Sequence, residues 1–179
     1  ERYDNFGARV DDIEETFNLI SKPNPSVLEI GCGNGRDATE ICKYTDKYLG
    51  LDIAEKFIEI ARQNVPRGKF EVADIEDYVF PQNLDVIFAF ASLIHIPKES
   101  LGGVLKRMHA ALNDGGVARL SMKYNDRYKK ASIEDKFGIR TYYFHSKKDI
   151  EKMAQNFKII KNETKEFIEQ VWLETLLQK

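Results

Sequence analysis

Three glycines alternate with other residues in the segment Val27–Asp37, which reads Val-Leu-Glu-Ile-Gly-Cys-Gly-Asn-Gly-Arg-Asp. The residues before the first glycine are apolar apart from Glu29, as expected of a short buried strand, and a helix-compatible run follows. A strand that turns into a helix through glycines lets a ligand lie against bare backbone, because no Cβ blocks the approach. The N-terminus of the following helix offers free N–H groups and positive partial charge to an anionic group. The segment therefore has the residue types and spacing of a ligand-binding turn.

Two classes of ligand use such a turn, and the glycine spacing separates them. A dinucleotide-binding fold requires G-x-G-x-x-G, whose third glycine allows the helix to pack closely on the strand beside a pyrophosphate. Here the third glycine, Gly35, comes one residue early, and Arg36 stands where that fold has Gly or Ala. The pattern E-x-G-x-G-x-G instead resembles the first motif of class I S-adenosylmethionine (SAM)-dependent methyltransferases.

The elements that must position this turn follow from alternating apolar segments and helical stripes. A helix is predicted at about residues 8–21, and Ser146 with Asp149 predicts a capped helix near the C-terminus. Residues Tyr124 to Gly138 lack periodicity and predict a mobile loop. The predicted strands cover 27–30, 48–52, 69–73, 84–90 and 117–122, and an antiparallel pair covers 157–165 and 170–178. This order predicts a doubly wound, Rossmann-like α/β fold with a seven-stranded, mostly parallel sheet and an antiparallel C-terminal strand.

The composition indicates one ordinary globular domain spanning residues 1–179, with 42% hydrophobic and 31% charged residues. A formal net charge of −2 argues against a strong general attraction to nucleic acid or to an anionic membrane. No apolar run reaches the ~18–20 residues of a spanning helix, and the first twenty residues lack a signal-peptide core. The two cysteines, Cys32 and Cys42, predict buried thiols in a reducing cytoplasm and no metal site.

Further motifs extend the resemblance to class I methyltransferases over nearly the whole chain. Gly33–Asp37 is similar to the G-x-G-R motif of small bacterial members of the tellurite-resistance type. Ala91–Pro97 resembles the A-S-L-L-H-[VL]-P segment of many such members, and Leu112–Gly116 matches their L-x-x-G-G turn. Gly138–Phe144 resembles the segment before their last helix, and Val171–Leu173 stands where they end with W-L-[NE].

The resemblance implies SAM as the cofactor and assigns parts of it to individual residues. Asp52, about 20 residues after the turn, would accept hydrogen bonds from both ribose hydroxyls, although a helix-capping Asp is the plainer alternative. Asp74 would contact the adenine amino group, or else simply end its strand. Arg36 would pair with the methionine carboxylate or form a surface salt bridge, and Glu29 requires a ligand or backbone partner. The full set of implied cofactor residues is Tyr3, Glu29, Gly31, Cys32, Gly33, Asn34, Gly35, Arg36, Asp52, Ile53, Asp74, Ile75, Phe90, Ala91 and Ser92.

Methyl transfer from a sulfonium is an in-line displacement, so the enzyme chiefly positions the acceptor and excludes water. If the acceptor must lose a proton, His95 is the predicted base, while a structural role for this histidine is the alternative. Arg140 and Tyr143 are predicted to act on the acceptor from a lid at about residues 124–143. Lys123, Tyr124, Tyr142 and Phe144 are predicted to line or cover the same pocket.

The sequence therefore predicts a methyltransferase that acts on a small molecule and releases S-adenosylhomocysteine. The segment after the fourth predicted strand is not of the N-P-P-Y type that holds flipped bases, so a nucleic-acid acceptor is disfavoured. A non-catalytic SAM-binding or regulatory module of the same fold is the alternative, and a nicotinamide dehydrogenase comes third. The sequence does not identify the acceptor or the oligomeric state.

Overall fold

The computed structural model describes residues 7–135 and 138–179, so Tyr3 lies outside the described residues. Among these residues the strands are β1 (Val27–Ile30), β2 (Tyr48–Asp52), β3 (Lys69–Val72), β4 (Leu84–Phe90), β5 (Leu112–Lys123), β6 (Lys129–Asp135), β7 (Gly138–Phe144), β8 (Lys158–Phe167) and β9 (Gln170–Gln178). The helices are α1 (Val10–Phe17), α2 (Arg36–Ile41), α3 (Glu55–Asn64), α4 (Lys98–Ala111) and α5 (Lys147–Met153), with a 3₁₀ helix at Leu93–His95. None of these helices is both long and apolar enough to cross a membrane.

One seven-stranded sheet forms the centre of the fold, in the order β3-β2-β1-β4-β5-β9-β8. Strands β1 to β5 are parallel, whereas β9 runs antiparallel to both β5 and β8. This arrangement confirms the predicted fold class. The chain winds outward in both directions from β1 and β4, so the carboxyl ends of these two strands meet at the switch point where open α/β sheets bind ligands.

Helices cover both faces of the sheet, which explains why every residue of β4 is buried. One face packs on α4 and α5 through apolar residues such as Leu105 and Ile150. The other face packs on α1, α2 and α3 through residues such as Ile13 and Ile58. The predicted capping box of Ser146 and Asp149 is present at the start of α5. The sheet is therefore a rigid support whose carboxyl edge carries the residues of interest.

Charged contacts hold α1 against strands β5 and β9 of the sheet. Arg119 of β5 is 1% exposed and donates hydrogen bonds to carboxylates of α1, including that of Glu15 at 2.6 Å. Arg9, directly before α1, donates to Glu174 of β9 at 3.1 Å. Buried charges remain charged only when they are paired in this way. These pairs therefore fix the start of α1 beside the carboxyl ends of β4 and β5.

The mobile loop predicted over Tyr124–Gly138 is wrong in its secondary structure. Residues Lys129–Asp135 form β6, which pairs antiparallel with β7 in a separate two-stranded sheet. Polar side chains dominate β6, so the alternation that marks a half-buried strand is missing and only the pairing with β7 defines the element. We call these two strands the β6–β7 hairpin. Strand β5 also begins earlier than predicted, at Leu112 rather than Val117.

Candidate active site

The glycine turn after β1 requires glycine for two different reasons. Gly31, Gly33 and Gly35 all have positive φ angles, of +76°, +55° and +83°, a region that favours glycine. At Gly31 there is also no room for a side chain, because an added Cβ would lie 2.2 Å from the Cβ of Ser92. At Gly33 an added Cβ would meet nothing within 4 Å. The backbone of Gly33 therefore faces open space at the switch point of the sheet.

Asp52 lies at the end of β2, next to this open backbone. One of its carboxylate oxygens accepts the N–H of Gly33 at 2.9 Å, and the other accepts the N–H of Ala54 at 2.9 Å. The second bond closes a local turn before α3 and is not a helix cap, because the N-cap residue of α3 is Ala54. The first bond joins the carboxylate to the glycine turn. An ionised carboxylate has about four lone-pair sites, so two remain for hydroxyl donors.

Ile53, Asp74 and Ile75 follow the carboxyl ends of the neighbouring parallel strands β2 and β3. Ile53 is 69% exposed, so its surface is free to support a planar ring. Asp74 follows β3, and one of its oxygens accepts the N–H of Glu76 at 2.9 Å. Arg107 of α4, which was not predicted from the sequence, donates to the carbonyl groups of Ile75 and Glu76 at 2.8 and 2.9 Å and so holds this loop.

Glu29 lies beneath the glycine turn and is 1% exposed. Burial, with a further contribution from the nearby charge of Asp37, raises the pKa of Glu29 from 4.5 to about 8. The hydroxyl of Tyr48 on β2 donates a hydrogen bond to the Glu29 carboxyl. The sequence analysis expected a ligand or backbone partner for this acid, and the partner present is instead the side chain of Tyr48.

Arg36 forms a salt bridge, which was the alternative to a role in binding the methionine carboxylate. Its guanidinium donates to the adjacent Asp37 carboxylate at 2.7 Å, and the other oxygen of Asp37 accepts the backbone N–H of Arg9 at 2.9 Å. Arg9 also donates to Ser121 of β5 at 2.9 Å, and its guanidinium lies 5.0 Å from the ring centroid of Phe90. Local sequence patterns do not reveal the role of Arg9, because all its partners except Asp12 are distant in the chain.

The end of β4 carries an unusual backbone and an unpaired hydroxyl. Ala91 has a φ of +54°, which costs energy for a residue with a Cβ and is found most often at functional sites. The Oγ of Ser92 is buried and has no hydrogen-bond partner within residues 7–135 and 138–179. Cys32 is buried, and its N–H bonds to the carbonyl of Leu51 at 2.9 Å. Ser92 therefore retains hydrogen-bonding capacity at the switch point, whereas the Cys32 amide does not.

The predicted acceptor residues lie on the 3₁₀ helix and the β6–β7 hairpin. His95 places Nδ1 2.7 Å from the carbonyl oxygen of Thr141 on β7. A carbonyl oxygen can only accept, so Nδ1 carries the proton, and in the neutral ring Nε2 is the basic nitrogen. The imidazole also packs on Tyr142, with ring centroids 4.8 Å apart. His95 thus has a structural contact that leaves its basic nitrogen free of that bond.

Arg140 and Tyr143 do not point in one direction. Side chains alternate along a strand, so these two residues of β7 lie on opposite faces of the β6–β7 hairpin. Tyr143 stacks on Tyr128 with ring centroids 6.1 Å apart, whereas Tyr142 and Phe144 face Lys123 of β5. His95 and Lys123 therefore both contact the ring of Tyr142, whereas Arg140 and Tyr143 lie on opposite faces of the hairpin.

The geometry agrees with comparisons to known proteins. A family profile described as a methyltransferase domain matches residues 27–116, about half of the chain. The chain belongs to this methyltransferase-domain family. A trans-aconitate 2-methyltransferase of Variovorax paradoxus is 35% identical over 104 residues, covering 55% of this chain and 39% of that protein. A sterol 24-C-methyltransferase of Gibberella zeae is 33% identical over 110 residues, covering 56% of this chain and 28% of that protein.

Solved structures extend the likeness beyond the matched half. TehB of Haemophilus influenzae, a tellurite-resistance protein, has a TM-score of 0.79 at 16% identity and covers 99% of this chain and 65% of its own. Magnesium protoporphyrin IX methyltransferase of Synechocystis, solved with bound SAM, has a TM-score of 0.71 at 19% identity. The match covers 95% of this chain and 76% of that chain. The resemblance to class I SAM-dependent methyltransferases is confirmed in family and fold. The chain spans less than half the length of the two relatives named above.

Proposed function

We propose that this domain transfers a methyl group from SAM to a small-molecule acceptor and releases S-adenosylhomocysteine. The observation that carries the proposal is the pairing of Gly33 with Asp52. A bare backbone faces open space there, and a carboxylate bonded to that backbone keeps two lone-pair sites for a pair of hydroxyls. A ribose presents such a pair, and the family membership supplies the cofactor that contains it.

The rest of the cofactor follows the described geometry outward from the ribose. We place the adenine between Ile53 and Ile75, with its amino group at Asp74, because Ile53 offers an exposed apolar surface beside Asp52. The methionine end then lies against the turn formed by Gly31, Cys32, Gly33, Asn34 and Gly35 and against Phe90, Ala91 and Ser92. The unpaired Ser92 hydroxyl is available to its polar groups. Arg36 and Glu29 support the glycine turn rather than touching the cofactor, since Arg36 is bonded to Asp37 and Glu29 is buried.

In this proposal the reaction requires little more than correct positioning of the acceptor and the sulfonium. The sulfonium is already a reactive donor, so holding the acceptor in line and excluding water supply most of the effect. Where the acceptor carries a proton, Nε2 of His95 takes it, because Nδ1 is committed as a donor to Thr141. Nothing in this arrangement requires a metal. Both cysteines are buried and free, which suits the cytoplasmic location that we propose.

The acceptor class is supported by the relatives only in general terms. One relative is named for trans-aconitate and another for a sterol, so their names agree on small molecules and on nothing finer. An acceptor screen in which S-adenosylhomocysteine release is measured would test the proposed reaction. If the protein binds SAM and the screen yields no release with any acceptor, the non-catalytic SAM-binding alternative replaces it.

Replacing Asp52 with Ala is expected to weaken SAM binding by about 1.5–3 kcal/mol, because the change removes charge-assisted bonds to two hydroxyls. Isothermal calorimetry with SAM measures this loss, and NAD serves as the ligand that should not bind. Asp114→Ala is the matched control, since this exposed acid lies at the opposite edge of the sheet. Equal SAM affinity in the folded Asp52→Ala and Asp114→Ala proteins would show that the ribose lies elsewhere.

We keep the acceptor lid as a proposal, now as the β6–β7 hairpin rather than a disordered loop. Arg140→Ala and Tyr143→Ala are expected to lower kcat/KM at least tenfold, about 1.4 kcal/mol, while SAM affinity changes less than twofold. Hydrogen exchange over residues 124–143 should slow when S-adenosylhomocysteine and acceptor are added. Glu134→Ala, an exposed change on β6, is the control. Unchanged turnover together with equal protection in both states would make the hairpin a purely structural element.

A further inference from the structure

Lys123, the last residue of β5, has an unusual surrounding for a cation. Its Nζ lies 5.2 Å from the ring centroid of Tyr142, 5.4 Å from that of Phe144 and 5.1 Å from that of Trp172. Its hydrogen-bond partner within the described part of the chain is the neutral side-chain oxygen of Gln170, at 3.2 Å. We call Lys123 and these three rings the Lys123 cage.

The Lys123 cage holds a positive charge that its own residues compensate only in part. No carboxylate of residues 7–135 or 138–179 forms an ion pair with Lys123. Partial burial lowers the pKa of the Lys123 amine from its ordinary value, because removal from water disfavours the charged form. Contact with the aromatic faces offsets part of this cost, and a partner anion would add a charge-assisted hydrogen bond. An anion bound in the cage would compensate the rest of the Lys123 charge.

Other lysines near the cage also lie close to aromatic rings. Lys129 lies 5.6 Å from the ring centroid of Phe144, and Lys130 lies 5.9 Å from that of Tyr143. Lys98, which lies 5.4 Å from the ring centroid of Tyr128, differs because it is paired with Asp149. Lys129 therefore brings one further positive charge to the Phe144 side of the Lys123 cage, whereas Lys130 lies against Tyr143 on the other face of the β6–β7 hairpin. A cationic ligand entering among these rings would be repelled by Lys123 and Lys129.

The Lys123 cage adjoins the proposed place of methyl transfer. Lys123 is two residues beyond Ser121, whose partner across the sheet is Phe90, so it lies past the carboxyl end of β4. The ring of Tyr142 contacts both Lys123 and His95, with centroids 4.8 Å apart for His95. An acceptor held at Lys123 would thus reach the region of His95 and of the end of β4.

We propose that Lys123 binds a carboxylate group of the methyl acceptor, so that the acceptors of this domain are carboxylic acids rather than amines or neutral molecules. This inference rests on the proposed function, because it assigns the substrate class of the same site. The ammonium pairs with the carboxylate, and the three rings pack on the apolar part of the acid next to it. The carboxylate need not be the atom that receives the methyl group.

The test is a binding experiment that needs no turnover. Trp172 is the only tryptophan of the chain and part of the Lys123 cage, so its fluorescence reports a ligand entering the cage. The protein saturated with S-adenosylhomocysteine is titrated with trans-aconitate and with its trimethyl ester, and with benzoate, benzamide and benzylamine. We expect each carboxylate to bind at least tenfold tighter than its neutral analogue, and benzylamine to leave the emission unchanged.

Variants separate the role of the charge from the stability of the fold. Lys123→Gln should lose at least tenfold in carboxylate affinity and Lys123→Arg should retain most of it, while S-adenosylhomocysteine affinity by calorimetry stays within twofold in both. Lys158→Gln, an exposed lysine at the start of β8, is the control and should behave as wild type. Equal binding of acid and neutral analogue, or full carboxylate affinity in Lys123→Gln, would overturn the inference. Failure to bind S-adenosylhomocysteine would instead overturn the proposed function.

Discussion

Replacing Gly31 with Ala is expected to lower the free energy of unfolding by about 2–5 kcal/mol. An alanine held at a φ of +76° costs roughly 1–2 kcal/mol by itself. The added Cβ would also lie 2.2 Å from the Cβ of Ser92, which is fixed to the backbone after β4. Relieving that overlap must push the ends of β1 and β4 apart, an overpacking cost of about 1–3 kcal/mol. Urea denaturation followed by circular dichroism measures the loss.

Gly33→Ala is the matched control, because Gly33 also has positive φ, of +55°, but open space around it. This variant should lose only the backbone part, about 1–2 kcal/mol of stability. Its SAM affinity, however, should fall at least tenfold, because the new Cβ occupies the space that we assign to the cofactor. The two glycines therefore separate a structural requirement from a binding requirement. Equal stability losses in the two variants, or normal SAM binding by Gly33→Ala, would refute this division.

Elements whose signals are local in the sequence were predicted correctly. Strand β4 has the predicted bounds, Leu84–Phe90, because a run buried on both faces is apolar throughout. The capping box at Ser146 formed as predicted, since its partners are three residues apart. The contact of Asp52 with the glycine turn also agrees with the motif, because parallel β1 and β2 bring their carboxyl ends together. Roles towards the cofactor and the acceptor stay predictions.

The β6–β7 hairpin shows why other parts were not predictable. Strand β6 has no apolar face of its own, and only its pairing with β7 defines it. Pairing between strands depends on register and on the surrounding contacts, which local sequence patterns do not encode well. The prediction of a loop used the absence of periodicity, a signal that an exposed polar strand shares with a loop.

The charged residues that organise the site were missed for a related reason. Arg9 joins α2 to β5 and β9 through contacts with residues between 28 and 165 positions away. Arg107 holds the loop after β3 from a helix about 30 residues later. A single sequence shows each of these residues as one surface cation among 27 Lys and Arg side chains. Only the folded arrangement shows which of them are buried or paired.

Replacing Glu29 with Gln is expected to stabilise the free protein by about 3–5 kcal/mol at pH 8 and to change its stability little near pH 4.5. Burial, with the charge of Asp37, raises the pKa of Glu29 from 4.5 to about 8 in the folded protein. Between these pH values the folded state holds a proton that the unfolded state has released. Stability of the wild type therefore falls as pH rises, by about 1.4 kcal/mol per pH unit, and levels off above about pH 8.

Glutamine imitates the protonated acid and can still accept the hydroxyl hydrogen bond of Tyr48, so the variant lacks this slope. Other acids contribute their own pH dependence equally to both proteins. One is Asp85, where burial alone would raise the pKa but hydrogen bonds from Lys22, Ser26 and Asn113 bring it below its ordinary value. The informative quantity is therefore the difference between Glu29→Gln and wild type, measured by urea denaturation from pH 4.5 to 9. A difference that stays constant with pH would mean that Glu29 is ionised in the folded protein, and that Tyr48 and Arg36 balance its burial.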